Sequence, residues 1–427
     1  MRIAIIGAGF TGLSAAYKLQ KQGHNVTVFE KDAQPGGLAL GYQEKDWKWS
    51  LEQHYHHWFT NDDLVLNLAK EIEHKIIIKR PKTSVFLQDK IFQLDSPMSF
   101  LTFPKLPLID RLRMVIALGF LRVNPFWKPL EKVKATAVLP KTMGKKAWDM
   151  LWKPQLVNKM GKYADDISLV WFWTRINKRT PSLAYPEGGF LHFAQHLEKK
   201  IEELGGKFYY QTEVVELSSK DNPQIKYNDI ENCKLKIENF DAVIVTLPSF
   251  LFLKIAPQLP EDYKNKLNKL KSLGATNMVL RLNKKFMNNG TYWLSICETP
   301  SPVMVVIEHT NLMSKKNYNN EYLVYVGNYP DTSDPTFSMA KKDLLKRYDP
   351  LLKRINPDYQ KSIIDYDVFR SPFAQPIVPT NYSKLVPAMQ TPLPNVILAN
   401  IEQVYPWDRG TNYAVELGAK AASMITA

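Results

Sequence analysis

Cysteine is scarce in this sequence: the 427 residues include only Cys233 and Cys297, which lie far apart. That number and spacing indicate neither a disulfide framework nor a zinc site, and they favour a reducing compartment. No apolar run reaches the ~20 residues that span a bilayer, and the first residues lack the apolar region and cleavage site of a signal peptide. We therefore expect a cytoplasmic protein without a transmembrane helix.

Acidic residues are also in short supply. The chain has 42 Asp and Glu against 56 Lys and Arg, a net charge of +14 at pH 7. The segment from Lys128 to Lys162 contains nine lysines and only two acidic residues, Glu131 and Asp149. Such an excess favours a membrane surface or a phosphorylated substrate as neighbour, or else it is a solvated face. Without a zinc-finger, RRM or KH signature, it predicts no nucleic-acid partner.

Three glycines near the start, Gly7, Gly9 and Gly12, have the spacing GxGxxG. An apolar run precedes them and a helical apolar pattern follows, so they lie at a strand-to-helix turn. Side chains at the first two would block a pyrophosphate, and one at the third would push the helix off the sheet. The next strand ends at Glu30, whose carboxylate can accept both hydroxyls of an adenosine ribose. The pattern predicts a dinucleotide such as NAD or FAD, without a 2′-phosphate.

Two further segments favour FAD. A Pro-Gly-Gly loop at Gly36 and Gly37 follows Glu30, within reach of a cofactor as long as FAD, although such a loop alone is typical of a surface turn. Near the C-terminus, Gly410 opens a helix rich in small residues, and the helix N-terminus can dock the isoalloxazine carbonyls or the pyrophosphate.

These segments, together with YPEGGFLHFAQHLEKKIEELGGKFYYQTEVVEL, FDAVIVTLP and YPWDRGTNYAVELGAKAA, resemble the FAD-dependent amine oxidase superfamily. Protoporphyrinogen oxidases belong to it, and UDP-galactopyranose mutases are more distant members. The resemblance implies an α/β fold with a Rossmann-like FAD-binding domain of the glutathione reductase type, an antiparallel-sheet substrate domain and a helical insert. The implied FAD-binding domain comprises residues 1–75, 185–255 and 385–427, and the substrate domain comprises residues 76–184, which contain the insert, and 256–384.

The resemblance also implies the cofactor contacts. Val214 would contact the adenine through its backbone, and Leu38 stands where an arginine is common in the family. No cysteine near the C-terminus could anchor the flavin covalently, so FAD should be bound tightly but non-covalently. The complete predicted set is Gly7, Gly9, Phe10, Thr11, Gly12, Glu30, Lys31, Gly36, Gly37, Leu38, Val214, Thr246, Leu247, Asp408, Arg409, Gly410, Thr411, Asn412 and Tyr413.

Candidate substrate chemistry lies at three histidines and two arginines. His54, His56 and His57 have no carboxylate or cysteine at ligand spacing, so we expect no metal. The segment is similar to the mutases' HIFHT, which implies that His56 lies near the flavin; the alternative is a histidine that only packs. Arg175 or Arg179 resembles the mutases' phosphate-binding arginine, and a guanidinium suits carboxylates equally; a surface charge is the alternative. We predict His56 and Arg175 as catalytic residues.

The insert, residues 95–180, carries an apolar stripe from Leu108 to Gly119 and the exposed-looking aromatics Phe103, Phe126 and Trp127. A stripe is typical of core packing, but beside so many lysines it also fits a peripheral membrane patch. We expect an FAD-dependent oxidoreductase that takes hydride from a small, apolar or anionic substrate. The alternatives are a redox-neutral sugar-nucleotide mutase and a flavin-binding protein without turnover.

Overall fold

The computed structural model describes residues 1–229 and 234–426, so Cys233 lies outside the described residues. The strands are β1 (Arg2–Ile6), β2 (Asn25–Phe29), β3 (Gly41–Tyr42), β4 (Leu51–Glu52), β5 (Trp58–Phe59), β6 (Ile76–Lys79), β7 (Lys82–Leu87), β8 (Lys90–Gln93), β9 (Leu183–Pro186), β10 (Lys207–Tyr209), β11 (Thr212–Ser219), β12 (Pro223–Asp229), β13 (Lys234–Asn239), β14 (Ala242–Val245), β15 (Ser272–Leu282), β16 (Thr291–Ile296), β17 (Val305–Glu308), β18 (Tyr322–Asn328), β19 (Ile363–Pro376) and β20 (Val396–Leu398).

The α-helices are α1 (Phe10–Lys21), α2 (Asp63–Glu71), α3 (Pro97–Leu101), α4 (Leu108–Val123), α5 (Ala135–Met143), α6 (Lys145–Ala147), α7 (Lys153–Met160), α8 (Leu169–Asn177), α9 (Phe190–Glu203), α10 (Ser249–Ile255), α11 (Glu261–Leu267), α12 (Pro335–Ser338), α13 (Lys341–Ile355) and α14 (Thr411–Thr426).

A five-stranded parallel sheet forms the first layer, in the order β10-β2-β1-β14-β20. Its central strand is buried from Ile3 to Ile6, as expected for a parallel strand covered on both faces. Helices α1 and α14 pack side by side and very closely at Gly418, where an added Cβ would lie 2.2 Å from the Thr11 carbonyl oxygen. The strands come from the beginning, middle and end of the chain. The predicted domain boundaries remain a prediction.

A seven-stranded sheet forms the second layer, in the order β19-β15-β18-β17-β16-β7-β8. Its pairs are antiparallel except for β16 and β7, which are parallel. Alternate residues of β15 belong to different cores: Met278 and Leu280 pack with α13, whereas Val279 faces the core shared with the parallel sheet. This arrangement confirms the predicted α/β class with a substrate sheet, apart from the single parallel pair.

The helical insert, α3 to α8, has a separate core that includes Trp148, Trp171 and Trp173. One side of α4 packs inward through Met114. The exposed apolar side chains of α4 are Leu108, Ile109, Leu112, Ile116, Phe120 and Val123. Phe103 was expected at the surface, but it is 2% exposed because it packs edge-on against Phe92. In the described part of the chain, no helix is both long and apolar enough to cross a membrane.

Candidate functional site

The first glycine loop is held tightly between β1, α1 and the end of β14. Gly7 has φ +106°, and a Cβ there would lie 2.4 Å from the Thr246 hydroxyl oxygen. That hydroxyl donates to the Ile6 carbonyl (2.8 Å), which ties the end of β14 to the loop. A Cβ at Gly12 would lie 2.0 Å from the Gly7 carbonyl oxygen. The N-cap residue of α1 is Gly9, which has no side chain that could cap the helix, so the N-terminal N–H groups of α1 can bind an anion.

The second glycine pair lies directly against the first loop. The Gly36 N–H donates to the Ala8 carbonyl (3.0 Å), and Gly36 and Gly37 have φ +140° and +56°. A Cβ at Gly37 would lie 3.0 Å from the Gly9 Cα. The Pro-Gly-Gly segment is therefore not an isolated surface turn. Two backbones meet here without side chains, which suits a diphosphate that must approach the main chain closely.

Gly7, Gly9, Gly36 and Gly37 together form what we call the glycine cradle. Glu30 lies beside it, directly after the end of β2. One carboxylate oxygen accepts from the Ala8 N–H (2.7 Å), and the other accepts from the Asp32 N–H (2.9 Å). Burial raises the pKa of Glu30, and the two N–H donors oppose that shift. Each carboxylate oxygen keeps a free lone pair, so the Glu30 carboxylate can still accept hydrogen bonds from ribose hydroxyls. The adjacent Lys31 pairs instead with Glu213 (2.8 Å), on the strand that carries the buried Val214.

The loop before α14 joins three parts of the molecule. Asp408 accepts from Arg175 of the insert (2.9 Å). Arg409 donates to Tyr329, directly after β18 (2.8 Å), and to Gln375 of β19 (3.2 Å). Burial alone would raise the pKa of Asp408, but Arg175 and other nearby cations hold it below its ordinary value.

The first residues of α14 have side chains that are already engaged. The Thr411 hydroxyl accepts from the Trp58 indole N–H, and the Asn412 side-chain oxygen accepts from the Leu64 and Val65 N–H groups (both 3.1 Å). The Tyr413 ring is stacked 6.1 Å from the ring of Trp407. These side chains fix the helix, so what α14 can offer a ligand here is its backbone N-terminus.

The three histidines point in different directions. His54 contacts Asn277 (2.7 Å), His56 contacts the His54 carbonyl (2.5 Å), and His57 contacts the Tyr292 hydroxyl (3.1 Å) through Nδ1. Burial lowers the pKa of His54 and His57 to about 3 and that of His56 to about 4, so all three are neutral at pH 7.

A cavity of about 590 Å³ lies between the insert and the edge of the seven-stranded sheet. His57 lines it, whereas His56 does not and packs 5.5 Å from the ring of Phe190. Arg175 and Arg179 also line it, with Arg80 and Arg122, against a single acidic residue, Asp95. Most of the remaining wall is aliphatic or aromatic. Among the described residues, the predicted cofactor residues line neither this cavity nor a larger groove of about 860 Å³ on the outside of the insert. The smaller cavity is connected to them through the contact of Arg175 with Asp408.

Two buried ionisable groups were missed in the sequence. Glu52 is fully buried, where it accepts from the Tyr185 hydroxyl (2.9 Å) and the Phe190 N–H (2.9 Å) at the start of α9, and burial raises its pKa to about 7. The Lys159 ammonium lies 4.5 Å from the centre of the Tyr329 ring, and burial and nearby arginines lower its pKa. The one signal in the sequence for either group was an acidic residue directly after Leu51, in the short strand β4.

The fold and the glycine cradle are those of a dinucleotide-binding protein, and comparison with known proteins gives the family and, with it, the class of FAD-dependent oxidoreductase. The profile of the flavin-containing amine oxidoreductases matches residues 10–425, so the chain belongs to that family. The predicted superfamily resemblance, the FAD cofactor and the oxidoreductase class are confirmed.

The individual relatives are more distant. The chain is 26% identical over 329 residues to coproporphyrinogen III oxidase of Staphylococcus aureus, covering 67% of this chain and 68% of that enzyme. It is 52% identical to an L-amino-acid oxidase of Crotalus adamanteus, but over 46 residues, which are 11% of this chain and 9% of that enzyme.

Solved structures show the same fold at low identity. An oxidoreductase from Methanosarcina mazei has a TM-score of 0.77 at 18% identity, with 99% of this chain and 100% of that chain covered. Reduced UDP-galactopyranose mutase has a TM-score of 0.75 at 15% identity, with 100% and 95% covered. The mutase alternative therefore has the support of a fold likeness alone.

Proposed function

We propose that the protein oxidises a small organic molecule bound in the 590 Å³ cavity. FAD supplies the hydride acceptor. The observation that carries the proposal is the ion pair between Arg175, which lines the cavity, and Asp408, which lies just before α14. This pair connects the cavity wall with the segment predicted to surround the distal end of the flavin. The wall is apolar with an excess of arginine, which supports a substrate that has an apolar body and an acidic group.

The predicted cofactor residues fall into separate roles in this proposal. Gly7, Gly9 and Gly37 leave room for the diphosphate, and Glu30 accepts the ribose hydroxyls. The strand β11, which contains the buried Val214, begins beside Glu30, since the Thr212 N–H donates to the Glu30 carbonyl (2.9 Å). This supports the proposed place of Val214 near the adenine. The backbone N–H groups at the N-terminus of α14 would hold the isoalloxazine carbonyls or the pyrophosphate.

His57 is the residue of the histidine segment that this proposal places beside the substrate. Its Nδ1 is held by the Tyr292 hydroxyl, and its Nε2 has no hydrogen bond to any described residue. A neutral imidazole with a free nitrogen can accept a hydrogen bond from a substrate O–H or N–H group and so orient it, whereas a pKa of about 3 makes it a weak proton acceptor at pH 7. The catalytic roles predicted for His56 and Arg175 stay predictions, with Arg175 at the cavity wall and His56 outside it.

We also propose that the exposed side of α4 rests on an anionic lipid surface. Ile116 and Phe120 are 70% and 60% exposed, and Phe126 just beyond the helix is 72% exposed. Lysines of the following segment, such as Lys128 and Lys132, are exposed close by in the chain. Apolar side chains flanked by cations are the combination that binds such surfaces. A cytoplasmic location remains a prediction.

An anaerobic screen tests the function. The purified holoenzyme is mixed with porphyrinogens, polyenes, amines, organic acids and UDP-sugars, and flavin bleaching is recorded. We expect bleaching by an acidic, apolar compound and none in a Gly119→Trp variant, because Gly119 lines the cavity and an added Cβ meets no atom within 4 Å. Bleaching that is unaffected by this variant would place the reaction elsewhere. In a separate assay, UDP-sugar is added to the photoreduced protein, and ring isomerisation without net oxidation would favour the mutase.

A further inference from the structure

A second group of three histidines lies apart from the proposed substrate site. His74 lies between α2 and β6, while His192 and His196 lie one turn apart on α9. The ring centre of His74 is 5.6 Å from that of His192 and 5.3 Å from that of His196. None of the three lines the 590 Å³ cavity. They form a cluster of potential metal ligands, because transition metals bind imidazole nitrogen readily.

The hydrogen bonds of His74 decide which of its ring nitrogens can bind a metal. Its Nε2 lies 3.0 Å from the Glu187 carbonyl oxygen, and a carbonyl oxygen only accepts, so Nε2 carries the proton. Burial lowers the pKa of His74 to about 4, so the ring is neutral at pH 7 and its Nδ1 has a lone pair. Metal-binding histidines are commonly oriented in this way, by a carbonyl that holds the second nitrogen.

That lone pair is directed at the second histidine, since the Nδ1 atoms of His74 and His196 are 3.0 Å apart. Two nitrogens bound to one metal ion at right angles, each ~2.05 Å from it, lie about 2.9 Å apart. The pair thus already has the separation of neighbouring ligands. Without a metal, His196 donates a hydrogen bond across the gap. A metal ion can take the place of this hydrogen when His196 carries its proton on Nε2 instead.

The surroundings of His196 favour the neutral form that a metal requires. Burial and the nearby Lys200 lower the pKa of His196, and His192 and Lys199 act in the same direction, whereas Glu203 opposes them. The side chain of His196 is partly exposed and that of His192 is exposed, so an ion can reach the pair from solvent.

His192 can supply a third ligand. It lies four residues before His196 on α9, and residues four apart are neighbours on the same face of a helix. Within residues 1–229 and 234–426, no three potential ligands already surround one metal position. The exposed ring of His192 therefore has to turn toward the other two to complete the set.

We propose that His74, His192 and His196 form a surface site for a divalent transition metal ion. The near-right angle between the first two ligands suits Cu²⁺ or Ni²⁺ better than tetrahedral Zn²⁺. Affinity should be highest for Cu²⁺ among these ions. Mg²⁺ should not bind, because it requires oxygen ligands.

A metal ion at this site would act as a brace within the fold. It would connect α9 to the chain between α2 and β6. The His74 ring packs edge-on against Phe193 at 5.1 Å, and the Phe193 ring is stacked 5.5 Å from that of Phe10, the first residue of α1. Because the ion binds a geometry that exists in the folded chain alone, it should raise the melting temperature.

Calorimetric titration of the oxidised holoenzyme, prepared without a histidine tag, tests the proposal. The titrants are CuCl₂, NiCl₂, ZnCl₂ and MgCl₂. We expect saturable binding of one Cu²⁺ or Ni²⁺ ion per chain, weaker binding of Zn²⁺ and no binding of Mg²⁺. The electron paramagnetic resonance spectrum of the Cu²⁺ complex should show coupling to nitrogen, since the ligands are imidazoles.

Variants on the accessible face of α9 identify the ligands. His196→Gln and His192→Gln should each weaken Cu²⁺ and Ni²⁺ binding at least ~10-fold, because losing even an outer partner of a metal ligand has an effect of that size. His24→Gln, at a partly exposed histidine between α1 and β2, is the matched control and should leave binding unchanged. FAD content and the melting temperature without metal show that each variant is folded.

Three results would overturn parts of the proposal, and none depends on the reaction that the protein catalyses. Equal Cu²⁺ and Ni²⁺ binding in the original protein and in His196→Gln would refute the site. Weaker binding in His196→Gln alone, with His192→Gln unaffected, would refute the third ligand. Saturable binding without a rise in melting temperature would refute the brace between α9 and the chain before β6.

Discussion

Replacing Gly418 by alanine should loosen the contact between α1 and α14. A Cβ at this position would lie 2.2 Å from the Thr11 carbonyl oxygen and 2.9 Å from the Ala15 nitrogen. Both are backbone atoms, so no rotamer change can relieve the clash. The two helices must separate, and the N-terminus of α1 lies at the glycine cradle.

The magnitude follows from two opposing effects. Alanine in place of glycine inside a helix is worth up to about 1 kcal/mol in propensity, whereas overpacking of a closed contact costs about 1–3 kcal/mol. Gly119 is a matched control, because it also lies inside a helix but an added Cβ meets nothing within 4 Å. Gly119→Ala should gain the propensity alone. The two variants should thus differ by about 1–3 kcal/mol in the free energy of unfolding.

Urea unfolding followed by circular dichroism measures both variants, and the flavin absorbance of the purified proteins gives their FAD content. We expect Gly418→Ala to be the less stable of the two and to retain less FAD. If Gly418→Ala were as stable as Gly119→Ala with full FAD occupancy, the close packing of α1 on α14 would be refuted.

Three further predictions concern the cradle, a buried acid and the exposed helix face. Gly37→Ala should weaken FAD binding at least ~10-fold, because a strained positive φ and the contact with Gly9 act together; unchanged affinity in an FAD titration of the apoprotein would contradict the cradle. The pKa of Glu52 is raised to about 7, so protonated Glu52 stabilises the fold fully below the pKa of the unfolded chain, and about 3 kcal/mol of this stabilisation is lost as the pH rises to 7. Glu52→Gln should remove this pH dependence from the free energy of unfolding, and an unaltered pH dependence would refute the raised pKa. Ile116→Glu with Phe120→Glu should abolish flotation with vesicles of anionic lipid and leave FAD content unchanged, whereas flotation equal to that of the original protein would exclude this face.

The backbone features of the glycine segments could be predicted because their signals are local. Gly7 and Gly36 adopt positive φ, a conformation in which glycine is favoured, and the buried run that ends at Ile6 is a pattern of a few consecutive residues. Gly410 directly precedes α14, as the small-residue pattern indicated. In each case the chemical requirement and the sequence pattern occupy the same short segment.

The substrate side was harder because its contacts are distant in sequence. His56 and His57 are adjacent, and alternation along an extended segment says that they face opposite ways without saying which one faces the cavity. The exposure of Ile116 depends on which side of α4 the rest of the insert covers. The parallel pairing of β16 with β7 joins residues about 200 positions apart, such as Ser84 and Leu294, and no local pattern specifies it.

The order of strands in the parallel sheet has a consequence for how the chain reaches its folded state. One edge of β1 pairs with β2 a short distance along the chain, but its other edge pairs with β14, where Ile3 lies opposite Ala242. During synthesis the backbone N–H and C=O groups of that edge lack their partner until about 240 residues have been made. Such late, non-local pairing slows folding and exposes an aggregation-prone edge. We therefore expect the nascent chain to need a chaperone until β14 has been made and can pair with β1.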